Sequence, residues 1–188
     1  IRDSPKYNVY AMVHGDDFVS TGDDAGLKHL RITLEKEYGL KTSIIGPGKD
    51  DAKELKVLNR IIRFAKDGIE YEGDIRHGEL IAKQLGLTDE KATTKSVNTP
   101  GVDDLTGQDD ETICTSEYAT AYRSIVARAN YLAPDRPDIQ FAVKVLAGKM
   151  SNPNNGDWVR LKRLGRYLLG SPRLVWHFGW QEWPDSIS

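Results

Sequence analysis

Between Tyr118 and Leu132, apolar side chains fall at i, i+4, i+7, i+8, i+11 and i+14 (Tyr118, Tyr122, Ile125, Val126, Ala129, Leu132). Only the 3.6-residue period of an α-helix gathers those positions into one stripe, and a stripe that long must be covered by other elements. The following residues supply candidates. Asp135-Arg136-Pro137-Asp138 reads as a helix start, with Asp135 as cap, Pro137 in the first turn and Asp138 closing a capping-box-like arrangement; Asn152-Pro153 ends that helix. A third helix runs from Asp157 to Leu169, with Trp158, Leu161, Leu164 and Leu168 inward and Arg160, Arg163 and Arg166 along another side. Leu174, Trp176, Phe178 and Trp180 then alternate with period two, as one face of a strand does; these aromatics read as core.

The first half of the chain has a different rhythm. Tyr7 to Val13 alternates, Gly15-Asp16 supplies turn chemistry and Phe18 to Thr21 resumes, which predicts a hairpin. Asp23 and Asp24 cap a helix with Leu27, Leu30, Leu34 and Tyr38 on one face, closed by Gly39, and Leu40 to Ile45 reads as a strand. A second hairpin turns at Lys66-Asp67-Gly68, and Asp74 caps a short helix through Ile81 and Leu85, ended near Gly86. The acidic, Thr-rich stretch 93–115 has no sustained period and reads as an exposed linker. The fold class is α+β.

Composition excludes several classes. The 188 residues carry a net charge of −2, one cysteine (Cys114) and four scattered histidines, so neither a disulfide nor a zinc site is expected. No apolar run approaches the roughly 18 residues of a membrane span. The chain starts at Ile1 without a signal segment and reads as an excised, non-secreted piece. Its charge is segregated: 103–111 holds five acids and no base, whereas 157–176 holds five bases (Arg160, Lys162, Arg163, Arg166, Arg173) against one acid. A basic helix of this kind can track a phosphate backbone; the plain alternative is a solvated face.

Asp16 and Asp17 pose the chemical question, because adjacent carboxylates repel unless a cation meets them. Neighbouring strand residues point to opposite faces, so the two approach one point only where the backbone bends. A hairpin bend holding a hard divalent ion such as Mg²⁺ satisfies both conditions; ordinary turn residues are the alternative.

The stretch "VHGDDFVSTG" resembles the strand-turn-strand of motif C in reverse transcriptases. In order along the chain, "LNRIIRFAKDGIEYEGD" resembles the primer-gripping hairpin of copia-type retrotransposon polymerases, and "VNTPG" a recurrent thumb-region signature. The block from Tyr122 to Pro172 is similar to that family's conserved run of about fifty residues. His14 and Gly15 depart from the usual aromatic and aliphatic residues there, and Asn59-Arg60 from a common Leu-Gly pair.

The resemblance implies the C-terminal part of a right-hand polymerase. A palm remnant with two hairpins and a helix would span 1–73, a helical thumb-like region 74–170, and a short connection 171–188 leading toward an RNase H domain. It implies an RNA-directed DNA polymerase using two Mg²⁺ ions held by Asp16, Asp17 and an upstream motif A aspartate. The implied partners are RNA template, DNA primer, deoxynucleoside triphosphate and the flanking segments of a polyprotein. Gly15, Asn59, Arg60, Arg160, Lys162, Arg163 and Arg166 would lie along the nucleic acid, in a cytoplasmic virus-like particle or the nucleus. Alone, the fragment is expected to be inactive. Two other readings stay open: a non-catalytic nucleic-acid-binding relic, and a receiver-like signalling domain, which would need a Lys-Pro pair that the chain lacks.

Overall fold

The computed structural model describes residues 8–88, 94–102 and 110–182, in two compact units, Ile1–Ile44 and Ile45–Ser188.

In the first unit, β1 (Val9–His14) and β2 (Asp17–Gly22) pair antiparallel from Val9↔Gly22 to His14↔Asp17. That register leaves a two-residue turn, Gly15-Asp16, with Gly15 at φ 58°, which a residue without Cβ adopts freely. Helix α1 (Asp24–Glu37) begins where the Asp23 carboxylate accepts the Gly26 N–H at 2.6 Å. It ends because Tyr38 turns extended, so the expected glycine closure at Gly39 is not used. Leu40 to Ile45 is not a strand. Within 40–45 only Ile45 makes a bridge, to Ala52, because no described strand lies alongside to complete a ladder. Val9 and Gly26 are the buried residues described in this unit, and Leu27, Leu30 and Leu34 are half-buried.

In the second unit, β3 (Glu54–Val57), β4 (Arg60–Ala65) and β5 (Gly68–Glu72) form a meander, and β6 (Val175–Gly179) adds antiparallel to β5. The expected hairpin is β4–β5. Strand β3 has no signal in the sequence because its turn, Leu58-Asn59, lacks glycine. Both residues nonetheless sit at positive φ, 49° and 65°, a conformation that Asn tolerates and Leu resists.

Helix α2 (Arg76–Gln84) closes on Gly86 at φ 67°: the Gly86 N–H reaches the Lys83 carbonyl and the Leu87 N–H the Ala82 carbonyl, the paired bonds of a glycine-terminated helix. Next come α3 (Ser116–Leu132), a 3-10 turn at Ala133–Asp135, α4 (Pro137–Ala147) and α5 (Asn155–Gly170). The α3 stripe is buried from Tyr122 to Leu132 against Ile81, Ile139, Val143, Leu146, Leu161, Leu164 and Leu168. Tyr118 leaves the stripe and is exposed, its ring edge-on to Trp158. The Tyr122 hydroxyl donates to the Leu146 carbonyl at 2.9 Å, which satisfies its one polar group in the core.

Four further boundaries differ from the sequence expectation. Helix α2 has Ile75 at its cap position without a side-chain cap bond, so Asp74 is not its cap; the Asp74 carboxylate instead accepts the Arg76 N–H and side chain. Helix α4 stops at Ala147, before Gly148, rather than at Asn152. Its cap position is Arg136, without a side-chain cap, so Asp135 and Asp138 are not caps. Helix α5 starts two residues early because Asn154 and Asp157 form a reciprocal capping box at 2.8 and 3.1 Å.

By register, Leu55, Ile62, Phe64, Ile69, Tyr71, Trp176 and Phe178 share one face of the sheet. Trp176 and Phe178 stack with centroids 5.8 Å apart. Phe178 and Trp180 are half-exposed, not core, because β6 is an edge strand with a neighbour on one side.

Candidate functional site

The β1–β2 turn places Asp16 at the bend and Asp17 at the start of β2, opposite His14. Both carboxylates are exposed, and neither has a hydrogen-bond or ion-pair partner among the described residues. No group of three or more His, Cys, Asp and Glu among those residues stands close enough to hold a metal ion. The hairpin therefore presents two adjacent, unneutralised oxygen donors and no third. A Cβ on Gly15 would meet nothing within 4 Å, so glycine is required there by its φ and not by crowding.

Asn59 and Arg60 lie elsewhere, in the second unit. Arg60 Nε donates to both Asp135 oxygens at 3.1 and 3.0 Å, and the Tyr71 hydroxyl donates to Asp135 Oδ1 at 2.6 Å. Trp176 Nε1 donates to the Asp135 carbonyl at 3.1 Å. Burial, and then the hydrogen bond to Asp135, push the Tyr71 phenol up to about 12. One aspartate thus ties β4, β5 and β6 to the turn before α4. Nothing local in the sequence marks it, because its partners lie 75 and 64 residues upstream.

Asp138 has a comparable role. Burial opposes its charge, but hydrogen bonds from Arg136 and Tyr167 outweigh that and hold its carboxyl below the usual range. Arg136, itself buried, also donates to the Ser171 carbonyl at 2.9 Å and the Pro172 carbonyl at 3.3 Å, clamping the exit of α5.

The four basic side chains of α5 have different surroundings. Arg160 Nη1 lies 3.6 Å from Asp157 Oδ1, and Lys162 is exposed. Arg163 Nη2 donates to Thr99 Oγ1 at 2.8 Å, while its Nε is buried without a hydrogen-bond partner among the described residues. Arg166 Nε donates to the Lys95 carbonyl at 2.7 Å. Cys114 is half-buried in a loop, and burial pushes its thiol up, away from the reactive thiolate.

With this geometry in place, the relatives are informative. The chain is 31% identical over 166 residues to the retrovirus-related Pol polyprotein from transposon RE1 of Arabidopsis thaliana, and 28% identical to that from transposon RE2. In both cases 87% of this chain is aligned. This chain is a relative of the copia-type retrotransposon Pol polyproteins. It spans only 10% of the length of each. A third relative of this copia-related chain, the uncharacterized mitochondrial protein AtMg00810 of the same plant, is 27% identical and is covered over 62% of its length. No protein-family model and no solved structure matches the copia-related chain.

Proposed function

We propose that this chain is the C-terminal part of the polymerase of a copia-type RNA-directed DNA polymerase: the end of its palm, a helical thumb and the start of a connection. The observation that carries the reading is the β1–β2 turn, which offers Asp16 and Asp17 exposed and unneutralised at a two-residue bend. The composition of the first unit supports it as well. Tyr10, Met12, Val13, Phe18, Ile32 and Tyr38 are exposed there, more apolar surface than a hairpin and one helix keep without neighbours.

Asp16 and Asp17 would hold Mg²⁺, to which hard, accessible carboxylate oxygens are suited; the third carboxylate would come from a motif A segment outside this chain. The bound ion supplies Lewis-acid stabilisation of the transferring phosphoryl group. The chain's own contribution is positional. The β1–β2 ladder fixes the strands on either side of the bend that carries Asp16, and Gly15 supplies the positive φ which that bend needs. The α5 cations Arg160, Lys162, Arg163 and Arg166 would follow the template-primer backbone. Arg60 plays a different part, holding the sheet to Asp135.

The test is primer extension by the polymerase assembled with its upstream segments. Asp16→Asn should lower the rate at least ~10²-fold, the scale of losing one transition-state stabiliser. An unchanged rate would overturn the metal role and leave the relic reading.

A further inference from the structure

We propose that residues 94–102 form a strap that competes with a nucleic-acid backbone for the arginines of α5. The proposal rests on the nucleic-acid reading above and adds regulation to it. The strap lies along the helix in the opposite direction. Its Lys95 carbonyl takes Arg166 Nε, Ser96 sits against Gly170, and the Thr99 hydroxyl takes Arg163 Nη2. Further along, the same direction continues at the other end of α5, where the Gly156 N–H reaches the Asp110 carbonyl at 2.9 Å and the Asn155 N–H the Thr112 carbonyl at 3.0 Å. The strap is thus tied down over the helix at three points between 95 and 99, close to the two guanidiniums that would otherwise face a ligand.

The strap grips with neutral acceptors. A hydroxyl and a carbonyl receive the guanidiniums, and 94–102 contains no carboxylate. A phosphate adds a full negative charge and the option of two parallel bonds to one guanidinium, neither of which a hydroxyl or a carbonyl supplies, and Arg163 Nε remains a buried donor without a partner among the described residues. A phosphate backbone therefore has the stronger claim on both side chains, but it must first lift the strap. The intact strap sets a threshold that excludes weak or partial contacts.

Two substitutions loosen the strap without touching a guanidinium. Thr99→Val removes the acceptor for Arg163. Gly170→Ala places a Cβ 2.6 Å from the Ser96 Cβ, so the strap must shift. Binding of a short RNA–DNA duplex to the full chain, measured against salt, is the experiment. Thermal melts confirm that each variant is folded, and Arg163→Gln with Arg166→Gln serves as the reference for lost contacts. Loosened variants should bind about tenfold tighter, the worth of one hydrogen bond to a charged group. Their salt slope should match the parent's, because the duplex reaches the same guanidiniums once the strap is lifted, while the double Gln variant should lose up to about one unit per arginine removed. In the parent chain, duplex should accelerate amide exchange across 94–102. If the parent binds and the double Gln variant loses affinity while the loosened variants match the parent, the strap proposal fails and the nucleic-acid reading stands. If no variant binds duplex, the nucleic-acid reading of α5 fails and the strap falls with it.

Discussion

Asp135 receives Arg60 and Tyr71 on its carboxylate and Trp176 on its carbonyl, so three strands depend on one residue of a 3-10 turn. A helix cap lost to alanine costs about 1 kcal/mol. A carboxylate removed from a largely buried ion pair costs about 3 kcal/mol, because the cation and the phenol are then left without their acceptor. Asp135→Ala should therefore lower the urea unfolding free energy of the second unit by about 3 kcal/mol; a loss of about 1 kcal/mol would return the residue to a capping role. Asp135 and Asp138 were legible in the sequence as carboxylates near a helix start and as nothing more. Apart from Arg136, two residues before Asp138, their side-chain partners arrive from β4, β5 and α5, and pairing over such distances leaves no trace in a local pattern. Asp16 and Asp17 were legible for the opposite reason, since a turn is specified by the residues that form it.

At the level of elements, β5 is tied to its surroundings through Glu72. Arg173 and Arg63 both donate to this carboxylate, and Arg63 also reaches Glu54 at 2.7 Å. The hydrogen bond from Arg173 and then that from Arg63 outweigh burial and hold the Glu72 carboxyl below its ordinary 4.5. A depressed acid contributes stability that is present above its unfolded value and lost as pH falls through the folded one. Helix α2 adds a second window. Burial, opposed by Asp74, lowers the His77 imidazole below 6.5, so the unfolded chain takes up that proton first. Stability should fall in two stages on acidification, the first beginning near 6.5 and the second below 4.5. His77→Gln should flatten the first stage and Glu72→Gln the second in chemical denaturation across pH; a profile unchanged by both substitutions would contradict this assignment. The helices themselves were readable because their stripes repeat over many turns. Strand β3 was not, since four residues closed by Leu58-Asn59 carry neither a long alternation nor a glycine. The expected strand at Leu40 to Ile45 failed because alternation specifies an extended backbone but does not supply a neighbour.

Across the whole molecule, the two units differ in how much they bury. The second has a continuous apolar core from Ile81 to Leu168, whereas the first buries Val9 and Gly26 among its described residues. Amide exchange should follow that difference. Protection in β1, β2 and α1 should reflect local opening, while α3, α4 and α5 should hold amides that exchange only through global unfolding. Equal protection in both units would contradict the burial pattern. The sheet of the second unit has a further consequence. Its strand order runs β3-β4-β5-β6, yet β6 is separated from β5 by about a hundred residues of helix and loop. A chain emerging from a ribosome must therefore carry β5 as an open edge through the synthesis of every helix, and the hairpin made early becomes a finished sheet only when the last strand is delivered. Stalled translation anywhere in that interval would leave a sticky ribbon in place of a closed domain.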